Sequence, residues 1–383
     1  MEYPKLRLLI INPWAINNDM HYAKGMVSAL AKKADLDFVT NEYYKDAPNN
    51  YRLYRSFFKY SENLPRGRFR LFIRGVEYIF AYSKILKLVK KNKYDIVHIH
   101  WLLLYKIDYV FLRILKKHCN KLILTAHNVL PHVNGKIYKK DLQKIYDCFD
   151  TILVHGDSIK DEFSKVFPEY SEKVRIQHHG IYFQQDTHFN KNDLCNEFVS
   201  KIMKYDKKII MFGAMFYNKG TDRLLKIWLD RFKHSDILLI VVGKKSGNYQ
   251  ELDALKDIIN ITDNIYFKDE FIDNNTLNFL ISYSDCVIVP YRHASMSGVV
   301  FTAAEFKKTV ICTNVGALPE YIENNIDGFI CDNTENGICD AIEIFSEQSV
   351  DELKIKGEAL HRNIHLKYSW DCIADRLLNE IYI

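Results

Sequence analysis

Cys286-Val287-Ile288-Val289-Pro290-Tyr291-Arg292-His293-Ala294-Ser295-Met296-Ser297-Gly298-Val299-Val300-Phe301-Thr302-Ala303-Ala304-Glu305 is the stretch on which the reading of this chain turns. Its first four residues are an unbroken apolar run, as in a strand buried on both faces. Pro290 ends the strand, because it has no N–H to give the ladder. Small residues follow, and Val299 to Ala304 then reads as the start of a helix. A strand that passes through such a turn into a helix presents backbone N–H groups to an anion, with the positive end of the helix dipole behind them. The amides of Ser297, Gly298 and Val299 hold that position, and Glu305, two turns on, is in reach of a hydroxylated group beside the anion. Many strand–helix turns contain Ser and Gly and bind nothing, so the weight of this reading comes from the rest of the chain.

Upstream, Lys208 to Gly213 is an apolar strand, Gly213 to Gly220 a loop, and Thr221 to Phe232 a helix. Lys219 and Gly220 then sit at the edge of a parallel sheet where ligands bind, and a lysine there can neutralise a diphosphate. Ile237 to Gly243 is a second buried strand, Ile265 to Phe267 a shorter one, and Val310 to Thr313 follows the opening stretch. The same alternation runs through the first half. Lys5–Ile11 and Leu36–Thr40 are strands around a helix from His21 to Lys33. Tyr94–Trp101, Leu122–Thr125, Thr151–His155 and Val174–His178 continue the series. Strands alternating with helices define an α/β chain. The pattern restarts mid-chain, so two doubly wound domains are expected, 1–185 and 186–365, with a last helix over 366–383 packing back toward the first.

The chain has 383 residues, 48% hydrophobic and 26% charged, as in a globular protein of two domains. No apolar run reaches the roughly 18 residues of a membrane span. The start goes straight into a strand and does not read as a signal peptide. Eight cysteines lie scattered without a Cys-x-x-Cys pair or zinc-site spacing, which points to a reducing cytoplasm. The net charge of +5 hides an asymmetry: residues 1–190 carry 31 Lys+Arg and 19 Asp+Glu, the remainder 22 and 29. Tyr51 to Lys93 concentrates it, with twelve Lys/Arg against Glu62 and Glu77, interleaved with aromatic rings. Cations with interfacial aromatics suit the surface of an anionic membrane. The bland alternative is a helix pair with a solvated basic face and a buried aromatic face. No nucleic-acid module is recognisable, so no nucleic-acid partner is expected.

Histidines mark the first half. His127 follows Leu122–Thr125, outside the carboxyl end of a strand, where doubly wound sheets bind ligands. His98 and His100 share one face of their strand, for which packing is the plainer reading; His132 is a weaker candidate.

In order and spacing these pieces resemble the GT-B glycosyltransferases of the retaining family-4 group (glycosyltransferase group 1). The matching segments are Asp-Ile-Val-His-Ile-His (95–100), Thr-Ala-His-Asn (125–128), His-His-Gly-Ile (178–181), Phe-Gly-Ala-Met-Phe-Tyr-Asn-Lys-Gly (212–220), the opening stretch, Thr-Asn-Val-Gly-Ala-Leu-Pro-Glu-Tyr-Ile (313–322) and Tyr-Ser-Trp (368–370). The resemblance implies two Rossmann-like doubly wound domains facing across a cleft, the second holding a UDP- or GDP-linked sugar. It implies donor contacts from Gly213, Lys219, Phe271, Arg292, Ser297, Gly298, Val299 and Glu305, with Glu305 on the ribose. It implies that His127 lies beside the transferred sugar, and that Trp14, His100 and His132 are candidates for the acceptor side. Two departures stand out. Ser297 replaces the first Glu of the family's Glu-seven-residues-Glu motif, which suggests a Ser-Gly-Val subgroup, and Ala214 replaces the arginine after the glycine.

The expected function is sugar transfer from a nucleotide-sugar donor to a lipid-linked saccharide, in bacterial surface polysaccharide or glycan synthesis, by a cytoplasmic enzyme peripheral to the membrane. The helix start and the lysine are expected to hold the leaving charge, so neither cofactor nor metal is expected. Two alternatives stay open: a catalytically altered GT-B protein that binds glycan or nucleotide, and a sugar-nucleotide epimerase, which would need no acceptor.

Overall fold

The structure, a computed structural model, describes residues 5–45, 48, 50–130, 135–181, 187–191, 196–294 and 297–383. By its internal contacts the chain forms two units, residues 1–183 with 368–383, and residues 184–367.

The first unit is built on a seven-stranded, all-parallel sheet. In chain order its strands are β1 (Arg7–Asn12), β2 (Asp35–Asn41), β3 (Arg52–Phe57), β4 (Tyr94–Ile99), β5 (Cys119–Thr125), β6 (Thr151–Val154) and β7 (Val174–Ile176). In space they run β3-β2-β1-β4-β5-β6-β7. The strand order reverses between β1 and β4, the place where such a sheet opens a crevice at its carboxyl ends. Strand periodicity divides the core. Leu8, Ile10, Leu36 and Phe38 pack into one cluster with Tyr22 and Trp370. Leu9, Ile11, Val39, Val97 and Ile99 pack into another with Tyr78, Tyr82 and Phe163. Each such side chain, fully covered, contributes roughly 1.5–3 kcal/mol.

The segment 51–93 is not the helix pair of the bland alternative. It opens as the edge strand β3, because Arg52 pairs with Asp35 and Asp37 and so ties the segment to β2. The helix Arg68–Asn92 follows. Its inner face buries Tyr78, Ala81, Tyr82, Ile85 and Val89, as the bland alternative required. Its outer face is different, for Phe69, Leu71 and Phe72 in the first turns and Phe80 at mid-helix each remain about two-thirds exposed.

The second unit carries a six-stranded parallel sheet: β8 (Lys207–Phe212), β9 (Ile237–Val242), β10 (Ile265–Lys268), β11 (Cys286–Val289), β12 (Thr309–Thr313) and β13 (Gly328–Cys331). Its order, β10-β9-β8-β11-β12-β13, reverses between β8 and β11. The opening stretch therefore leaves the sheet at its switch point, beside the loop that leaves β8. Every residue of β9, β11 and β12 is buried, as the apolar runs implied.

The helix Val350–Tyr368 ends before Ser369, which caps the next helix, Trp370–Arg376, by accepting from Cys372 N. Trp370 then fills the space against Gly25 and Gly180, where an added Cβ would lie 2.0 and 2.4 Å from its ring. Among the described residues no helix is long and apolar enough to cross a membrane.

Candidate functional site

In the second unit the two loops at the switch point are knitted together. Gly220 has φ +73°, and an added Cβ would stand 2.0 Å from Pro290 O, so only glycine lets the first loop approach the second. Arg223, buried, donates from Nη2 to Pro290 O (2.8 Å), Tyr291 O (2.9 Å) and Asn333 Oδ1 (2.8 Å). Arg292 N donates to Asn218 O at 2.8 Å.

On this scaffold the two cations of the site divide. Arg292 forms a two-pronged pair with Asp222, 2.7 and 2.9 Å, and its guanidinium lies over the Tyr217 ring at 4.2 Å. Burial alone would raise the Asp222 carboxyl, but the hydrogen bonds from Arg292 and Tyr249 outweigh it and hold it below its ordinary value. Arg292 is thus neutralised within the fold. Lys219 is not: among the described residues it makes no ion pair, and its Nζ stands 3.8 Å from the centre of the Tyr291 ring. Desolvation lowers its pKa.

Ser297 caps the Gly298–Glu305 helix, accepting from Val299 N at 3.3 Å, and Tyr291 Oη lies 3.2 Å from the same hydroxyl. The Val299 amide expected for an anion is therefore already capped; an anion would share or displace the serine. Gly213 takes φ +102° directly after β8. Phe271 is 85% exposed and reaches solvent. Glu305 lies against the helix Val350–Tyr368, its Oε1 2.9 Å from His365 Nε2.

In the first unit, histidines gather at the carboxyl end of the sheet. Tyr22 is the hub, with the rings of His100, His127, His155 and His179 between 4.8 and 5.6 Å from its own. His155 Nδ1 lies 2.9 Å from Gln177 O and must donate, since a carbonyl only accepts. Its Nε2, 3.1 Å from His127 Nδ1, is then the acceptor in the neutral ring. His127 therefore carries its proton on Nδ1, and its Nε2 is left as a bare acceptor, covered and without a partner among the described residues. The ring stacks on Trp101 at 4.4 Å and 6° and lines a pocket of about 140 Å³ with His100, Thr125 and Asn128. Desolvation, with the neighbouring histidines, holds His127 and His100 well below the ordinary histidine pKa and His155 at about 4. His98 is packed as the plainer reading had it, bonded to Tyr382 and Thr125 at 2.7 Å each.

Trp14 is part-buried and held from within: its N–H bonds to Asn12, its ring meets Phe58 edge-on, and Arg74 lies over it at 5.0 Å. His132 lies outside the described residues. Asp222, Arg223 and Tyr249 had no motif to announce them. His155 and His179 carried the signal that marked His127, a polar residue just past a strand. Asp19 was also missed; its carboxyl accepts from Asn12, faces Trp101 and is raised by burial to about 6.

Two parallel sheets of Rossmann-like topology, of seven and six strands, each reversing order once, define a GT-B fold. Residues 21–185 match the model described as Glycosyltransferase Family 4, and residues 206–347 that described as Glycosyl transferases group 1. The chain is a glycosyltransferase of this family 4/group 1 class. It is 23% identical over 316 residues to an uncharacterized glycosyltransferase of Methanocaldococcus jannaschii, covering 78% of this chain and 77% of that one. A glycosyltransferase structure from Rickettsia africae aligns over 99% of this chain and 98% of its own, with 21% identity and a TM-score of 0.64. The Anabaena protein HepE, in complex with UDP-glucose, aligns over 97% and 98% with 12% identity and a TM-score of 0.64.

Proposed function

We propose that the chain is a retaining glycosyltransferase that moves a sugar from a nucleotide-sugar donor to a lipid-linked saccharide, in the building of surface polysaccharide or related glycans of bacteria. The observation that carries the donor site is Lys219. A part-buried lysine with no ion pair among the described residues, at the switch point of a parallel sheet, is a cation in want of an anion. The capped start of the Gly298–Glu305 helix adds its dipole.

In this reading the bonding pair leaves with the diphosphate, and its growing negative charge is held by Lys219 and the helix start, an electrostatic stabilisation set in place before reaction. Asp222 withdraws Arg292 from that task and leaves it to hold the loop. Glu305 takes the ribose hydroxyls. His127 Nε2, a bare acceptor, takes a hydrogen bond from a hydroxyl of the transferred sugar and aligns it. The acceptor hydroxyl attacks from the face that the diphosphate leaves. The exposed Phe69, Phe72 and Phe80, on a helix with a basic start, favour a membrane surface as the place where the acceptor is met.

The test is a panel of UDP-, GDP- and dTDP-sugars, by thermal shift and by transfer with and without lipid-linked acceptor. One donor should raise the melting temperature, and Lys219→Ala should lower transfer at least about tenfold, a barrier of roughly 1.4 kcal/mol. Isomerised sugar released without acceptor would instead mark an epimerase. Binding without turnover would mark a binding protein, and a wild-type rate in Lys219→Ala would remove the site.

A further inference from the structure

We propose that Glu305, His361 and His365 form a binding site for a divalent cation of the zinc class. His361 and His365 are four residues apart on the helix Val350–Tyr368, so both rings lie on one face, 4.3 Å apart. Glu305 closes the helix Gly298–Glu305 opposite them. One ligand atom from each of the three lies within 4.8 Å of the others.

Two further observations point to a cation. Glu305 Oε1 and His365 Nε2 stand 2.9 Å apart, at ion-pair distance for a protonated imidazole; both are covered from solvent, and among the described residues neither makes a hydrogen bond. The Glu305 side chain is only 10% exposed, so a carboxylate nine-tenths buried holds an unsatisfied oxygen. A buried atom of this kind, above all a charged one, is costly unless something satisfies it. Their separation suits two neighbouring donors that each stand about 2.0–2.2 Å from a shared ion. The second observation is the state of His361. Its Nδ1 lies 2.9 Å from Ala304 O and must donate, which leaves Nε2 with a free lone pair. Metal-bound histidines are held this way, the other N–H on a backbone carbonyl. Two imidazoles and one carboxylate as ligands select zinc-like ions over calcium or magnesium, and they leave a coordination position open.

Glu305 is also the carboxylate assigned to the ribose, so an ion held here keeps it from the donor. That competition rests on the donor reading; the binding of the ion does not.

The full chain, stripped with a chelator, is titrated with Zn²⁺ by calorimetry and with Co²⁺ by visible d–d absorption. A single equivalent should bind, with affinity lowered about tenfold or more in His361→Ala and in His365→Ala. No such binding, or binding that survives the double His361→Ala/His365→Ala substitution, overturns the site. X-ray absorption of the zinc-loaded unaltered chain needs no variant: imidazole scattering from two histidines is expected, and a shell of oxygen alone overturns the proposal. Lys219→Ala should lose donor binding and keep zinc affinity, so failure of one reading is told from failure of the other.

Discussion

At the scale of single residues, the state of His127 is set by a neighbour and not by the residue itself. Gln177 O fixes the proton on His155 Nδ1, His155 Nε2 then accepts from His127, and His127 Nε2 is left bare. Replacing His155 with Phe keeps the ring volume and removes the acceptor, so His127 can turn or change tautomer. His155→Phe should lower kcat about tenfold with little change in KM for the donor, while His127→Ala lowers kcat further. Steady-state kinetics against donor concentration checks this, and equal kcat in His155→Phe and the unaltered enzyme would refute the relay. The reverse lesson comes from Arg292. A cation beside a strand–helix turn of this kind reads in sequence as a phosphate ligand, but a buried carboxylate in the first turn of the helix Thr221–Ile227 claims it.

At the scale of elements, two segments carry predictions. The loop after β8 meets the loop after β11 through Gly220, whose positive φ and 2.0 Å clearance exclude a side chain. Gly220→Ala should destabilise the second unit by about 1–3 kcal/mol and weaken donor binding with it, read by thermal melting with and without nucleotide. The helix Arg68–Asn92 has a covered inner face and an exposed start with Phe69 and Phe72. Exposed rings on a basic helix partition into the headgroup layer, each losing apolar contact with water as it does so. Phe69→Glu with Phe72→Glu should reduce co-sedimentation with anionic vesicles at least about tenfold and leave the melting temperature in place, because neither ring packs in the core. Unchanged vesicle binding would return this helix to the bland reading of a solvated face.

At the scale of the molecule, the first unit stores an acid sensitivity. Burial pushes His98 and His179 down to about 3 and His155 to about 4, and His100 and His127 well down. In the unfolded chain each titrates near its ordinary value of about 6.5. The folded pKa values are depressed, so the unfolded state binds more protons in the interval between. The stability of the neutral cluster is therefore whole above about pH 6.5 and is lost as pH falls toward 4. Each proton taken up adds about 1.4 kcal/mol per pH unit to that slope. Chemical denaturation from pH 7.5 to 4.5 should show the midpoint of the first unit falling steeply, and His155→Phe should flatten the fall. A midpoint independent of pH in that range would contradict the buried, neutral state of the cluster.

How much of this was legible beforehand follows the range of the forces involved. The apolar runs at Ile237–Val242 and Cys286–Val289 and the small-residue and glycine turns that follow the strands are local patterns. They fixed two parallel sheets, the order of their elements and the loops at the second sheet's edge, because backbone satisfaction and burial act over a few neighbouring residues. The pairing of Arg292 with Asp222, the tautomer of His127, the gathering of four histidines around Tyr22 and the meeting of Glu305 with His361 and His365 were decided only in three dimensions. These contacts join residues tens of positions apart, and whether a charge is spent inside the fold or left for a ligand depends on what the rest of the chain brings within about 4 Å of it.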